Sequence, residues 1–279
     1  MIRGEHQSKG GSSPIIRFIL GFFVMIGALM FLGCPIRMIL RLGGGDLDAL
    51  FGIAGFAGGI GFGTIFLKKG YSLQRTYALS KLESAMMPAI QVGLLVLVVT
   101  APAFIFFSQK GPGAMHAPWL ISLAAGLVVG GLSQFSRLCT VGGFRDLFLF
   151  KKSILIFGYL AVLIGVFVVN ISFGNFHLGF ENQPIAHTDG LWNFLGMALA
   201  GFCSVLLGGC PLRQLIMTGE GNSDSAVTVL GLAAGAAFAH NFGLAATGAG
   251  PTLNGEIAVG VGFVVALIIA ILNTKRANA

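Results

Sequence analysis

Residues 33–49 read GCPIRMILRLGGGDLDA, and residues 209–225 read GCPLRQLIMTGEGNSDS, 176 positions later (209 minus 33). Gly33, Cys34, Pro35, Arg37, Gly43, Gly45 and Asp48 match Gly209, Cys210, Pro211, Arg213, Gly219, Gly221 and Asp224 in order and spacing, and Gly55 and Gly59 match Gly231 and Gly235 farther on. Agreement of that kind marks an internal duplication. Proline cannot donate inside a helix, yet it suits the first helical position because its φ is already set. Gly-Cys-Pro therefore ends one apolar helix and starts another. The IRMILRL and LRQLIM runs that follow are too short to span a bilayer. Each is expected to be a re-entrant half-helix that returns through its glycine-rich turn, a backbone tolerated at membrane depth only when buried in protein or facing a cavity.

The rest of the chain supplies the membrane. Of 279 residues 55% are hydrophobic and 10% charged, against about 25% charged in soluble domains, and the mean hydropathy is +0.88. Apolar stretches near 15–33, 47–67, 85–107, 118–136, 153–173, 191–208, 226–247 and 255–272 approach the ~20 residues a spanning helix needs. The expected fold is an all-α polytopic membrane protein of eight or nine transmembrane helices plus short re-entrant helices, with an inverted pseudo-two-fold repeat. Its domain plan is a cytoplasmic tail at 1–14, one transmembrane transport domain at 15–272 with repeat motifs at 33–59 and 209–235, and a cytoplasmic tail at 273–279. No removable signal peptide is read in the first residues, MIRGEHQSKGGSSP.

With both termini cytoplasmic, every Lys and Arg of the 17 except Arg37, Arg41 and Lys110 lies inside, as the positive-inside rule asks. Trp119 and Trp192 then sit at outer span ends. The net charge of +7 is accounted for by topology and calls for no nucleic-acid partner; the lipid bilayer is the expected one. Five spans separate the leading helix of one motif from that of the other. The copies therefore cross in opposite senses, the inverted design of many transporters and channels. No GxxxxGK[ST] loop occurs, so ATP-driven pumping by this chain alone is not expected.

Cys34 and Cys210 fall at half-helix starts, where free amides and the helix dipole attract anions, and Arg37 and Arg213 add charge one turn later. A third segment, FSRLCTVGGFRDLFLFKK at 135–152, places Cys139 after an apolar run and ahead of Arg145 and Asp146; it reads either as another short re-entrant piece or as a cytoplasmic loop. The candidate pathway residues are Cys34, Cys139, Cys210, Arg37, Arg145 and Arg213, with Pro35, Pro211, Gly33, Gly209, His240 and Asn241 as secondary candidates. His240 and Asn241 line a pathway or are satisfied core residues. Cys203 reads as a packing residue, Gly55-x-x-x-Gly59 and Gly231-x-x-x-Gly235 as helix packing, and Asp48 and Asp224 as N-caps rather than proton carriers. A Cys34–Cys210 disulfide stays open. The cysteine spacing fits no metal finger, and no cofactor is expected.

GCPIRMILRLGGGDLDALFGIAGFAGG, SRLCTVGGFRDLFL and GGCPLRQLIMTGEGNSDSAV resemble the YeeE/YedE family of membrane proteins, also called the sulfur-transport family, and their wording is closest to its selenium-metabolism branch, YedE/FdhT. The resemblance runs from about residue 16 to 272. It implies a bacterial or archaeal inner-membrane importer of thiosulfate or a related sulfur compound, with Cys34, Cys139 and Cys210 along a central path. Thiosulfate-transporting members write their cysteine loops with Gly-Cys-Asn-type sequences, so a selenium species stands as an equal cargo. The alternative is a membrane thiol enzyme that relays sulfur or selenium as a persulfide or selenosulfide. Either reading leaves room for a cytoplasmic sulfur or selenium carrier protein docking around Lys68, Lys69, Lys151 and Lys152.

Overall fold

The computed structural model describes residues 9–73, 76–101, 104 and 117–277. Arg3, Arg75 and Lys110, which entered the orientation argument, lie outside the described residues, as do most of the 1–14 tail, the end of the 85–107 stretch and the last two residues of the C-terminal tail.

The chain is helical nearly throughout. The long helices are α1 (Pro14–Phe31), α3 (Asp48–Lys68), α4 (Lys81–Thr100), α5 (Trp119–Ser136), α7 (Ile154–Ser172), α8 (Gly190–Leu207), α10 (Ser223–Asn241) and α11 (Leu253–Ala277). Three short helices are set among them: α2 (Pro35–Gly43), α6 (Thr140–Phe150) and α9 (Pro211–Gly219). A small ribbon pairs β1 (Lys9–Gly10) with β2 (Tyr77–Ala78), antiparallel, Lys9 against Ala78. Seven helical stretches among the described residues are long and apolar enough to cross a membrane, so the protein is a multi-pass membrane protein. α10 is not among the seven; Ser, Thr, His and Asn dilute its hydropathy.

The duplication is visible in the helix bounds. Adding 176 to the bounds of α1 and α2 returns those of α8 and α9. The turns agree as well: the Asp46 N–H donates to Arg41 O at 3.1 Å and the equivalent Asn222 N–H donates to Met217 O at 3.0 Å. Gly45 and Gly221 take positive φ, +102° and +87°, a region costly for residues with a Cβ, which explains why both copies keep glycine there.

Packing follows the same two-fold. α3 lies along α8 with Gly55 against the Phe194 carbonyl and Gly59 against the Ala198 carbonyl; α10 lies along α1 with Gly231 against Phe18 O and Gly235 against Phe22 O. Each pair runs parallel, and each contact maps onto the other under the 176 shift. Backbones approach this closely only where no Cβ intervenes, the mode of association expected where lipid removes the hydrophobic drive between helices. α1 and α8 cross antiparallel at the centre, Gly27 meeting Gly196 and Ala200 while Met30 O accepts from His187 beyond the start of α8. The two halves thus traverse the molecule in opposite senses.

The turns after α2 and α9 consequently lie at opposite ends. The first pairs with the α7–α8 connection, Leu47 N–H to Gly179 O at 3.0 Å and Gly179 N–H to Gly45 O at 3.0 Å. The second is tied to the start of the chain, where Asp224 accepts from the Ser12 N–H and hydroxyl and lies 3.5 Å from Arg17 Nη2. The residues read as N-caps differ from the observed caps. Asn222 caps α10, its side chain accepting from the Ser225 N–H at 2.9 Å, and Asp46 Oδ1 accepts from the Asp48 N–H at 2.9 Å. Asn222 is the N-cap of α10, two positions before Asp224; at α3 the cap position is Leu47 and Asp46 ahead of it supplies the acceptor, because the glycine turn ends there and the helix has already begun at the aspartates.

Candidate functional site

Cys34, Cys139 and Cys210 occupy the same local position: each is the extended residue immediately before a short helix, α2, α6 and α9 respectively. The segment around Cys139, left open between a loop and a helix by its sequence, forms helix α6. Its layout repeats that of the first motif, since α5 ends three residues before Cys139 just as α1 ends three residues before Cys34. Each sulfur is therefore held at a helix start, beside amides that have no intrahelical partner. At Cys139 one of them is used: the Gly142 N–H donates to Sγ at 3.3 Å.

The fold brings Cys139 and Cys210 together across 71 positions (210 minus 139). Both are buried, and their side chains lie within electrostatic range of each other. The Thr140 hydroxyl, buried and without a conventional hydrogen-bond partner, lies against Cys210. Tyr159 on α7 links this pair to the first motif. Its hydroxyl donates to Pro35 O at 3.3 Å, it lies within electrostatic range of both Cys34 and Cys210, and its ring packs edge-on to Phe144 of α6. All four cysteines are free, so no Cys34–Cys210 disulfide is present. Cys203 is fully buried in the apolar core between α1 and α8.

Cys34 is half-buried and opens onto a cavity of about 970 Å³ lined also by Arg37, His240, Thr247 and Thr252. The Arg37 stem covers Gly33, where a Cβ would meet its carbons at 2.9–3.2 Å; a side chain at 33 would displace the arginine. Pro35 and Pro211 are the first residues of α2 and α9. Gly209 is buried beside Gln214 and Arg213. Asn241 is exposed and donates to Ala237 O of its own helix at 2.7 Å, outside the cavity lining.

The arginines diverge. Arg213 Nη1 donates to Gln134 Oε1 at 2.8 Å, and Gln134 Nε2 in turn donates to Glu220 Oε1, so α5 ties the two ends of α9 together. Arg145 pairs with its neighbour Asp146 at 2.9 Å. Arg41 is buried: Nε donates to Asp46 and Nη1 to Phe31 O, both at 2.6 Å, and its guanidinium stacks 4.0 Å over the Phe31 ring. His187, ahead of α8, donates from Nε2 to Met30 O at 2.8 Å and accepts at Nδ1 from the Asp189 N–H at 3.3 Å. Burial pushes its pKa below the ordinary imidazole value. Gln134, Tyr159 and His187 were not singled out from the sequence; none sits in a motif, and their roles arise from contacts with distant helices.

The arrangement is open on one side and closed on the other. Cys34 and Arg37 face the cavity, whereas Cys210 is 1% exposed and the Arg213–Gln134–Glu220 chain lies one turn beyond it. Chemically it offers thiols, amides and guanidinium groups, all donors suited to an anion. Among the described residues no group of three or more His, Cys, Asp or Glu could hold a metal ion. A family model described as "Sulphur transport" matches residues 135–275, half of the chain, including Cys139 and the whole second motif. No curated protein matches the chain at a significant level.

Proposed function

Because the chain belongs to the sulphur transport family, we propose that it imports a small, soft sulfur- or selenium-containing anion, thiosulfate or a selenium species, past Cys34, Cys139 and Cys210. The observation that carries this reading is the meeting of Cys139 and Cys210, linked through Tyr159 and its hydrogen bond to Pro35 O to the first motif, whose Cys34 and Arg37 line a cavity. A neutral thiol donates weakly to a polarisable terminal sulfur or selenium, while amides and arginine suit the oxygens.

In this proposal α2, α6 and α9 are re-entrant, the N- and C-termini are cytoplasmic, and the membrane is the inner one of a bacterial or archaeal cell. The cavity then faces outward and the Arg213–Gln134–Glu220 chain closes the cytoplasmic side. A cytoplasmic carrier protein receives the cargo near Lys68, Lys69, Lys151 and Lys152. An anion entering against an inside-negative potential works against about 2.3 kcal/mol per charge per 100 mV, so import needs either removal of the product or a coupled ion. The test is uptake by purified protein in liposomes with labelled thiosulfate, selenite and sulfate. Entry of thiosulfate or selenite well ahead of sulfate supports the proposal; equal entry of all three removes any need for thiols.

A further inference from the structure

The two-fold pairs Asp48 with Asp224, yet the two carboxyls have opposite surroundings. Asp224 takes donors at both oxygens, from the Ser12 N–H at 3.1 Å and the Ser12 hydroxyl at 2.8 Å, with Arg17 alongside. Asp48 is 0% exposed, and neither carboxyl oxygen has a hydrogen-bond partner among the described residues. The donors near it go to Asp46 instead: Arg41 Nε to Oδ2 and the Asp48 N–H to Oδ1. Arg41 Nη2, also buried, is left without a partner.

The difference has a sequence cause. The position equivalent to Arg17 is Asn193 (17 plus 176), so the second half presents an amide where the first half presents a guanidinium. Asn193 Nδ2 is committed to His187 O at 3.0 Å, and its Oδ1 is buried without a donor. Under the 176 shift Asn193 is the counterpart of Arg17 and Asp48 the counterpart of Asp224, so the first motif's carboxyl has no guanidinium in the equivalent place. A buried carboxylate that receives no hydrogen bond is costly, whereas a carboxylic acid is uncharged and can itself donate. The other charged or titratable groups around Asp48 are Arg41 on α2, itself near Arg37, Asp46 in the turn, and His187 and Asp189 ahead of α8.

We infer that Asp48 is a proton-binding site that couples anion uptake to proton entry. Resting on the reading of the chain as an anion importer, this names the ion that accompanies the cargo. The carboxylate takes up one proton on the outer side and releases it on the inner side, so each proton carried cancels one negative charge of the anion. Arg41 connects the two events. It sits on the same short helix as Arg37 and faces one carboxylate when Asp48 is protonated, two when it is not.

The test uses wild type, Asp48→Asn and Asp48→Glu in liposomes that enclose a pH-sensitive dye, with thiosulfate as the probe. A thiosulfate gradient should acidify the wild-type interior; Asp48→Asn should lose at least tenfold of that acidification, and Asp48→Glu should recover part of it. Acidification by Asp48→Asn equal to wild type overturns the inference, as does thiosulfate entry through wild type without proton movement; in the second case the importer reading stands. If wild type passes neither thiosulfate nor selenite, the importer reading fails. Infrared difference spectra across a pH titration then decide Asp48 separately: a protonated-carboxyl band absent from Asp48→Asn supports the site, and spectra identical to wild type refute it.

Discussion

Gly59→Ala tests the two-fold packing with one methyl group. A Cβ at Gly59 would overlap the Ala198 carbonyl oxygen and stand 2.8 Å from Ala198 C and 2.9 Å from Phe202 N, where ordinary contact begins at 3.4 Å. The obstructing atoms are α8 backbone and cannot rotate away, so α3 and α8 must part by about an ångström or more. A gap of about 0.5–1 Å forfeits a quarter to a half of each dispersion contact along the interface, and overpacking of this kind costs about 1–3 kcal/mol. Gly235→Ala should cost a similar amount, because its Cβ would overlap Phe22 O between α10 and α1. The two interfaces share no partner, so the double variant should lose about 2–6 kcal/mol. Gly93→Ala is the contrasting control: nothing lies within 4 Å of its Cβ, and alanine is favoured over glycine in a helix by up to about 1 kcal/mol. Helix content followed by circular dichroism during unfolding in mixed detergent gives the comparison. Gly59→Ala and Gly93→Ala shifting together, in the same direction and by the same amount, would refute the packing argument.

Two further outcomes follow from the site. In sealed cells a membrane-impermeant maleimide should label Cys34, which lines the cavity, and leave Cys203 untouched; labelling of Cys34 only in inverted vesicles would reverse the proposed orientation. His187 has a lowered pKa in the folded protein, so below about pH 6.5, the ordinary imidazole value, the unfolded chain binds more protons than the native one. Stability should therefore decline as pH falls from there toward the native value, by at most about 1.4 kcal/mol per pH unit. His187→Gln should flatten that decline, and an unchanged pH dependence would show that folding does not lower the His187 pKa.

The spans were legible because apolar length and Lys/Arg placement are strong local signals. The stretch read as a span at 226–247 is helix α10, whose Ser, Thr, His and Asn leave it short of the apolar length of the other seven. Motif spacing marked the three cysteines as helix breaks for the same reason: Pro35, Pro211 and the left-handed Gly45 and Gly221 leave few local alternatives. The contact between Cys139 and Cys210 was not legible, because it depends on how α6 meets α9 and no periodicity carries that. The caps were misplaced: α10 is capped by Asn222, two positions before Asp224, and the cap of α3 is Leu47, with Asp46 accepting from the Asp48 N–H, because DLD and NSD each offer two acceptable capping residues and only the backbone decides between them. Arg145 shows the limit of reading by type: it resembles Arg37 and Arg213 in sequence, yet its nearest partner is Asp146.

The central claim, that cargo passes the three thiols, is tested most directly by initial rates of labelled thiosulfate and selenite entry into liposomes bearing Cys34→Ala, Cys139→Ala, Cys210→Ala or Cys203→Ala. A lost thiol donor worth about 0.5–1.5 kcal/mol corresponds to about a two- to tenfold slower rate at each of Cys34, Cys139 and Cys210, with Cys203→Ala near wild type once equal amounts of folded protein are compared. Rates unchanged in all of the first three, or lowered equally in all four, would contradict it.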